Sequence, residues 1–435
     1  MKKESCFRDF VKYSSLNVLG MLGLSCYILA DTFFVAKGLG TNGLTALNLA
    51  IPIYSFIHGS GLMIGMGGGT RYSIWKSQGK GYEANSIFTN VVYIAAVFAV
   101  IFVLAGIFLS NGIVTLLGAD ESVFRMTKTY LQVILLFAPA FLLNNVLLCF
   151  VRNDGAPQLS MAAMIGGSLS NIVLDYVFIF PFGMGIFGAV FATGLAPVIS
   201  MLILSPHFIK KRNQFHFTKC RLRRNLAVSV FSSGMPSLVT EVSSGIVMIV
   251  FNFIILRLQG NVGVAAYGII ANLSLVIISI YTGIAQGIQP IVSANYGRRN
   301  PSNVRAILRY AMITMLIVSV AIYTGIFLGA EHVAGIFNSE QNAVLQNIAV
   351  EGLRLYFIAC PFAGFNIIIS MYYTSTDYPL PASIISILRG VILIIPMAFI
   401  LSSVAKMRGV WFAFPGTELL VAIVGTILFA LHKNQ

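Results

Sequence analysis

Residues 38–69 read GLGTNGLTALNLAIPIYSFIHGSGLMIGMGGG, and residues 257–290 read RLQGNVGVAAYGIIANLSLVIISIYTGIAQGIQP. Laid on each other, they put Gly40 on Gly260, Gly43 on Gly263, Ala46 on Ala266 and Gly67 on Gly287. Two further segments repeat in the same order. FAPAFLLNN, with Pro139 and Asn144, falls on IACPFAGFN, with Pro361 and Asn366, and GIFGAVFAT falls on MRGVWFAF through Gly188 and Gly409. A chain that carries one glycine-punctuated apolar pattern twice is built from two copies of one unit.

Outward from that repeat, the whole chain is apolar. Of its 435 residues 57% are hydrophobic and 10% charged, against about 45–50% and about 25% in soluble domains. So few charges exclude a soluble enzyme, a nucleic-acid-binding domain and a disordered regulator. At about 20 apolar residues per membrane-spanning helix, the chain has material for roughly twelve spans. Stretches long enough to cross lie near 13–36, 44–70, 88–110, 127–151, 159–180 and 186–206. They resume near 226–256, 264–291, 304–329, 346–374, 380–402 and 408–431. The expected fold is all-α and integral to the membrane: twelve transmembrane helices in two pseudo-symmetric six-helix bundles around a central cleft. The N-lobe is 1–206, a basic linker 207–225 and the C-lobe 226–435. Because six is even, both copies cross in the same sense, related by an axis along the membrane normal, as a rocking transporter requires.

The charges orient the bundle. The formal charge of +14 comes from 28 Lys and Arg against 14 Asp and Glu. With both termini and the even-numbered connections on one side, that side holds about 20 of the basic residues and the other about 6, which makes it the cytoplasm. The expected location is the inner cell membrane, multi-pass, with both termini inside. The middle connection PHFIKKRNQFHFTKCRLRRN, residues 206–225, is the most basic and reads as a linker at the inner membrane surface rather than a nucleic-acid patch. The N-terminal apolar run is too long for a signal peptide and reads as a retained first helix. Cys6, Cys26, Cys149, Cys220 and Cys360 stand singly, so neither disulfides nor zinc are expected.

Inside the apolar spans a few polar residues stand out. Asp31 on the first helix and Asp175 on the fifth lie at similar depth below the outer boundary. Asn171 is one helical turn before Asp175, and Thr193 lies on the descending sixth helix. A carboxylate within a span costs at least about 2.5–3.5 kcal/mol, so two at one level call for a compensating cation: a shared proton, or Na+ bound by Asp31, Asn171, Asp175 and Thr193. The alternative is that such groups only lock helix packing. The repeat weighs against it, because the second copy has Phe251, Ile392, Pro396 and Phe414 at these places. A scaffold requirement would be polar in both copies; a single functional site would not.

The second half carries Glu241, Arg389 and Glu418, with Arg389 expected to pair with Glu241 or Glu418. Gly61, Gly65 and Gly69 form a small-residue stripe for close helix packing. Gly183, Gly185 and Gly188 match a dinucleotide fingerprint only in spelling, since no βαβ unit surrounds them, and there is no phosphate-binding loop. The energy source is then an ion gradient. The cleft is expected to be lined by Met63, Asn144, Asn145, Glu241 and Gln286, with Phe, Tyr and Met supplying surface for lipophilic cations. His207, His216, His332 and His432 fall in loops or at ends, so no His/Asp cluster and no enzyme are expected. His58 reads as a packing or cleft residue. Arg354 and Arg389 are taken as the only arginines inside the helices, too few for a lipid-linked pyrophosphate.

Three blocks carry a resemblance: ADTFFVAKGLGTNGLTALNLAIPI at 30–53, GSGLMIGMGGGTRYSIWKSQGKG at 59–81 and SNIVLDYVFIFPFGMGIFGAVFATGLA at 170–196. On these the chain resembles the multidrug and toxic compound extrusion (MATE) family, and within it the DinF/MepA-like bacterial branch. The resemblance covers essentially the whole chain. It implies a cation-coupled antiporter, driven by H+ or Na+, that exports lipophilic, often cationic, drugs by alternating access, with no cofactor beyond the coupling ion. It also puts Asp31, Asn171, Asp175 and Thr193 on the family's N-lobe cation site. The same superfamily fold can serve as a flippase for lipid-linked saccharides, which is the alternative. The charge asymmetry makes one prediction directly. In a variant whose native cysteines are replaced, a cysteine at Lys211 should react with a membrane-impermeant maleimide only from the cytoplasmic face, and labelling from outside would invert the topology.

Overall fold

The computed structural model describes residues 3–338 and 341–433, and the side chain of His432 lies outside what it describes. Among the described residues every element is helical. The first, Lys3–Ser77, breaks only at Gly40 and so forms two arms, α1 (3–39) and α2 (41–77). Gly81–Leu104 begins α3, which continues to Leu116. Glu121–Leu136 and Ala138–Asn153, bent by 47° to each other, make α4. Pro157–Ile179 is α5 and Gly185–Ile209 is α6. Arg224–Gly297 breaks at Gly260 into α7 (224–259) and α8 (261–297). Pro301–Phe337 is α9, Ala343–Ser375 is α10, and Pro379–Leu431 breaks at Lys406 into α11 and α12. That is twelve spans among the described residues.

The apolar breaks expected near 37–43 and 257–263 are not loops. At each, one glycine turns the chain with nearly identical torsions: Gly40 at φ 65°, ψ −158° and Gly260 at φ 62°, ψ −154°. This region is essentially closed to side chains. A single-residue turn leaves few backbone groups without helical partners, which matters where water is scarce. The repeat extends to other turns. Gly79, Gly155 and Gly185 have positive φ, and the residues aligned with them, Arg299, Asp377 and Lys406, do too, although they carry side chains. The backbone has kept the duplication more faithfully than the sequence.

The helices face lipid with side chains only hydrocarbon would cover. Val97, Val100, Ile101, Leu104 and Phe108 are exposed along α3, and Leu316, Ile317, Val320, Phe327 and Leu328 along α9. Each lobe has its own apolar core. At the end bearing the termini and linker, the lobes exchange chain. Cys6 and Phe10 of α1 belong to the C-lobe core, where Phe7 and Phe10 pack on Tyr310. Val230 of α7 belongs to the N-lobe core, and Phe231 packs on Phe98. The chain boundary at 207–225 therefore does not divide the packing.

Glycines seal this end. A Cβ on Gly67 would overlap the Val230 carbonyl, and one on Gly234 the Met63 carbonyl. Gly283 and Gly287 also lie against backbone, that of Val18 and Ser14, too closely to admit a Cβ. Arg71 bonds Asp377 across the lobes at 2.7 Å, and Asn153 donates to Gln289 at 3.0 Å. Toward the breaks at Gly40 and Gly260, the corresponding glycine approach is only an ordinary one, Ile51 to Gly245 at 3.9 Å. The cleft is thus shut at the linker end.

The basic linker is strapped down. His216 N–H donates to Asn85 Oδ1 at 2.9 Å, Thr218 N–H to Thr89 Oγ1 at 3.0 Å and Arg223 N–H to Asn90 Oδ1 at 3.0 Å, all on α3. Phe215 is buried among Tyr72, Phe88 and Phe150, while the linker's seven Lys and Arg side chains stay exposed. The glycine seal predicts that Gly234→Leu should force the lobes apart by about 5 Å, half a helix diameter. Spin labels at Lys80 and Arg299 should report the longer distance, and an unchanged distance would show that the seal is not at this contact.

Candidate functional site

Glycines set the register of α1 on α5. Gly20 faces Met164, Gly23 faces Ile165, and Gly38 faces Ile179. The same parallel spacing carries Asp31 to Asp175, and their carboxyls lie within hydrogen-bonding reach of each other. Gly167 draws α5 onto α6 at Ala196 and Ser200, bringing Thr193 to the same level. With its amide nitrogen turned toward Asp175, Asn171 donates to Asp175 Oδ2 at 3.0 Å and accepts from the Thr193 N–H at 3.2 Å. The opposite orientation sets donor against donor. All four residues are buried, and the four predicted positions form one cluster.

Two features define what the cluster can do. Asp31 Oδ1 and Asp175 Oδ1 are buried with no hydrogen-bond partner among the described residues. Two adjacent carboxyls bond to each other only when one holds a proton, and unpartnered carboxylate oxygens in an apolar setting need a cation. The neutral oxygens are engaged elsewhere. Asn171 gives its oxygen to the Thr193 amide, while the Thr193 hydroxyl donates to the Ala189 carbonyl at 3.1 Å and bonds Tyr130. The Asn171 and Thr193 side chains thus already have partners within the protein, while each carboxyl keeps an unpartnered oxygen.

Beside the pair opens a cleft. Tyr27, one turn below Asp31 on α1, lines it and bonds Tyr54 at 2.6 Å; Thr193 lines it as well. Phe141, Leu148 and Met164 give it apolar walls. Of the five residues expected there, Asn144, Asn145, Glu241 and Gln286 do line it. Met63 does not: it is buried in the seal, because the absence of a side chain at Gly234 pulls the helices together at that level. His58 lines the cleft, stacked on Tyr54 and 3.3 Å from Asn145.

Two polar groups were not expected. Arg152, at the end of α4, turns inward, is only 2% exposed and lines the cleft floor, so Arg354 and Arg389 are not the only arginines inside. Asp154 accepts from Tyr72 at 2.7 Å, Lys76 at 2.7 Å, His207 at 2.9 Å and the Gln214 N–H at 2.9 Å. A His/Asp contact does form, then, and His207, at the end of α6 as expected, is buried. It lies at the linker end, away from the carboxyl pair, and ties α2, α4, α6 and the linker together. Both segments look like charged helix ends in sequence, and only the fold turns their side chains inward.

In the C-lobe two of the four equivalent positions carry aromatic rings, Phe251 for Asp31 and Phe414 for Thr193, while Ile392 and Pro396 stand for Asn171 and Asp175. Phe251 stacks on Tyr267, which stacks on Trp411, and Phe414 stacks on Tyr356. Arg389 pairs with Glu418, not Glu241, at 2.7 Å, and Asn366 donates to the other Glu418 oxygen at 2.7 Å. Gly61, Gly65 and Gly69 pack on Asn145, Cys149 and Asn153 of α4, as a small-residue stripe should.

The match with known proteins follows the same division. The MatE family model matches residues 18–177 and again 236–400. The chain belongs to the MatE family. One matched segment lies in each half of the chain, and as a MatE protein it is a multi-pass membrane transporter and not an enzyme. The multidrug export protein MepA of Staphylococcus saprophyticus is 25% identical over 100% of this chain and 96% of its own length. MepA of Staphylococcus aureus is 24% identical over the same shares. A MOP superfamily transporter from Pyrococcus furiosus, described as having a binding pocket of reverse polarity that suggests a different function, superposes with a TM-score of 0.90 at 25% identity, over 98% of this chain and 95% of that one. An outward-facing multidrug resistance MATE transporter superposes at 0.89 over 99% and 98%, with 24% identity.

The Arg389–Glu418 pair makes a stability prediction. Glu418→Gln should strand a buried guanidinium and lower stability by about 3–5 kcal/mol. Replacing both residues with Met should recover most of that loss in a thermal-unfolding assay; no recovery would mean that the cost lies in packing.

Proposed function

We propose that this protein is a proton-coupled antiporter of the inner cell membrane, with both termini cytoplasmic, that exports lipophilic organic compounds, cations among them. The observation that carries the reading is the buried Asp31–Asp175 pair with one unpartnered oxygen on each carboxyl, joined to the cleft through Tyr27 and Thr193. A proton arriving at the pair removes a charge from the wall of the N-lobe, and a departing one restores it. The Tyr27–Tyr54 bond lies between that wall and the cleft, so the cleft's shape and polarity follow the proton. The cleft's aromatic wall and Glu241 suit a lipophilic cation. Export by the MepA relatives supports the direction and breadth of transport. A lipid-linked pyrophosphate needs several cations in the cleft, and the lining offers one arginine and no lysine.

The cycle follows from geometry and charge. With the linker end sealed, substrate leaves toward the opposite side and protons enter from there; protonation then favours the reverse closure, and return to the cytoplasmic side releases the proton. In proteoliposomes, efflux of tetraphenylphosphonium should follow an imposed proton gradient. Asp31→Asn and Asp175→Asn should each abolish it while the protein stays folded, since an amide keeps the shape but exchanges no proton. Thr193→Ala should leave proton-driven efflux within about threefold of wild type, a change of under 1 kcal/mol. Loss of efflux in Thr193→Ala together with loss of saturable Na+ binding would make the site a sodium site.

A further inference from the structure

Arg152 is the one cleft residue whose charge nothing in the site above uses. Its guanidinium donates to Asn17 Oδ1 at 2.6 Å on α1 and to Gln286 Oε1 at 3.0 Å on α8, and it approaches the Met66 and Cys149 sulfurs. Every one of these partners is neutral, its Nε has no partner, and no carboxylate lies within ion-pair distance among the described residues. Glu241, which shares the cleft, sits beside Gly59, while Arg152 sits beside Met66. Seven residues along α2 separate those levels, roughly 10 Å at the helical rise. The contrast with Arg389 is direct, for that part-buried arginine has its glutamate.

A buried cation held only by neutral dipoles is incomplete, and a planar guanidinium is shaped to take an oxyanion on two parallel N–H bonds. Its present partners are amide oxygens, the groups a carboxylate would displace at least loss. One of them comes from each lobe, so a ligand on Arg152 would also sit at the seam where the lobes meet. Above the guanidinium the walls are apolar and aromatic, Leu24, Tyr27, Phe141 and Leu148. We infer that the floor of the cleft is an anion subsite: the protein binds amphiphiles that carry a single carboxylate or similar oxyanion on an apolar, aromatic body, with the oxyanion on Arg152 and the body toward Tyr27 and Phe141. This rests on the transport reading above and widens its substrate class beyond cations.

The test uses the full chain in lipid nanodiscs and two probes that differ in one charge, dansyl-phenylalanine and its carboxamide, followed by dansyl fluorescence. The carboxylate should bind at least tenfold more tightly than the amide. Arg152→Gln should bring the two within threefold of each other, and Arg152→Lys should keep part of the preference. Tetraphenylphosphonium efflux by the same wild-type preparation separates the two proposals. Efflux together with equal binding of the two dansyl probes, with no binding of either up to 1 mM, or with a preference that survives in Arg152→Gln would overturn the anion subsite and leave the transport reading intact. Loss of gradient-driven efflux in the wild type would overturn the transport reading, while a carboxylate preference lost in Arg152→Gln would still support the subsite. If Arg152→Gln does not fold, a preference in Arg152→Lys equal to or greater than that of wild type overturns the subsite, because an ammonium cannot reproduce the two-point contact.

Discussion

Hydrocarbon forms no hydrogen bonds, and almost everything in this molecule follows from where its polar groups find partners instead. The backbone satisfies itself in helices, and the chain reverses at Gly40 and Gly260 through one residue rather than a loop. Side chains obey the same rule. Glu418 is closed off by Arg389 and Asn366, and Asp154 by Tyr72, Lys76, His207 and a linker amide. Asp31, Asp175 and Arg152 differ in that each has an unpartnered buried atom and no Lys, Arg, Asp or Glu ion pair among the described residues. Leaving such groups open in an apolar setting is costly.

The duplication supplies the mechanics and its divergence supplies the function. Glycine-to-backbone contacts at the linker end let two similar lobes close tightly on each other, and the exchange of the α1 and α7 ends makes that closure a joint property of both. Such contacts are either seated or not, which suits a two-position cycle better than a graded deformation. The N-lobe carries the two acids, while the C-lobe has Phe251, stacked with Tyr267 and Trp411, in place of Asp31 and Pro396 in place of Asp175. The Arg152 side chain reaches both, since its two neutral acceptors come one from each lobe.

Composition and periodicity alone determined the membrane class, the twelve spans and the two-copy plan, because span length and repeat spacing are one-dimensional properties. The acid pair was legible for the same reason: depth can be counted along a helix, and Asp31 and Asp175 have apolar residues at their repeat positions. What the sequence could not show is which way a side chain at a helix end points. Arg152 and Asp154 lie just past the span read at 127–151, and His207 at a helix end, yet packing turns all three inward. Glu241 and Glu418 were equivalent candidates for Arg389 until the crossing of α11 and α12 chose between them. Met63 faces the seal rather than the cleft because Gly234, far away in the chain, lets a backbone approach it. These outcomes depend on contacts between helices, and no pattern along a single helix encodes them.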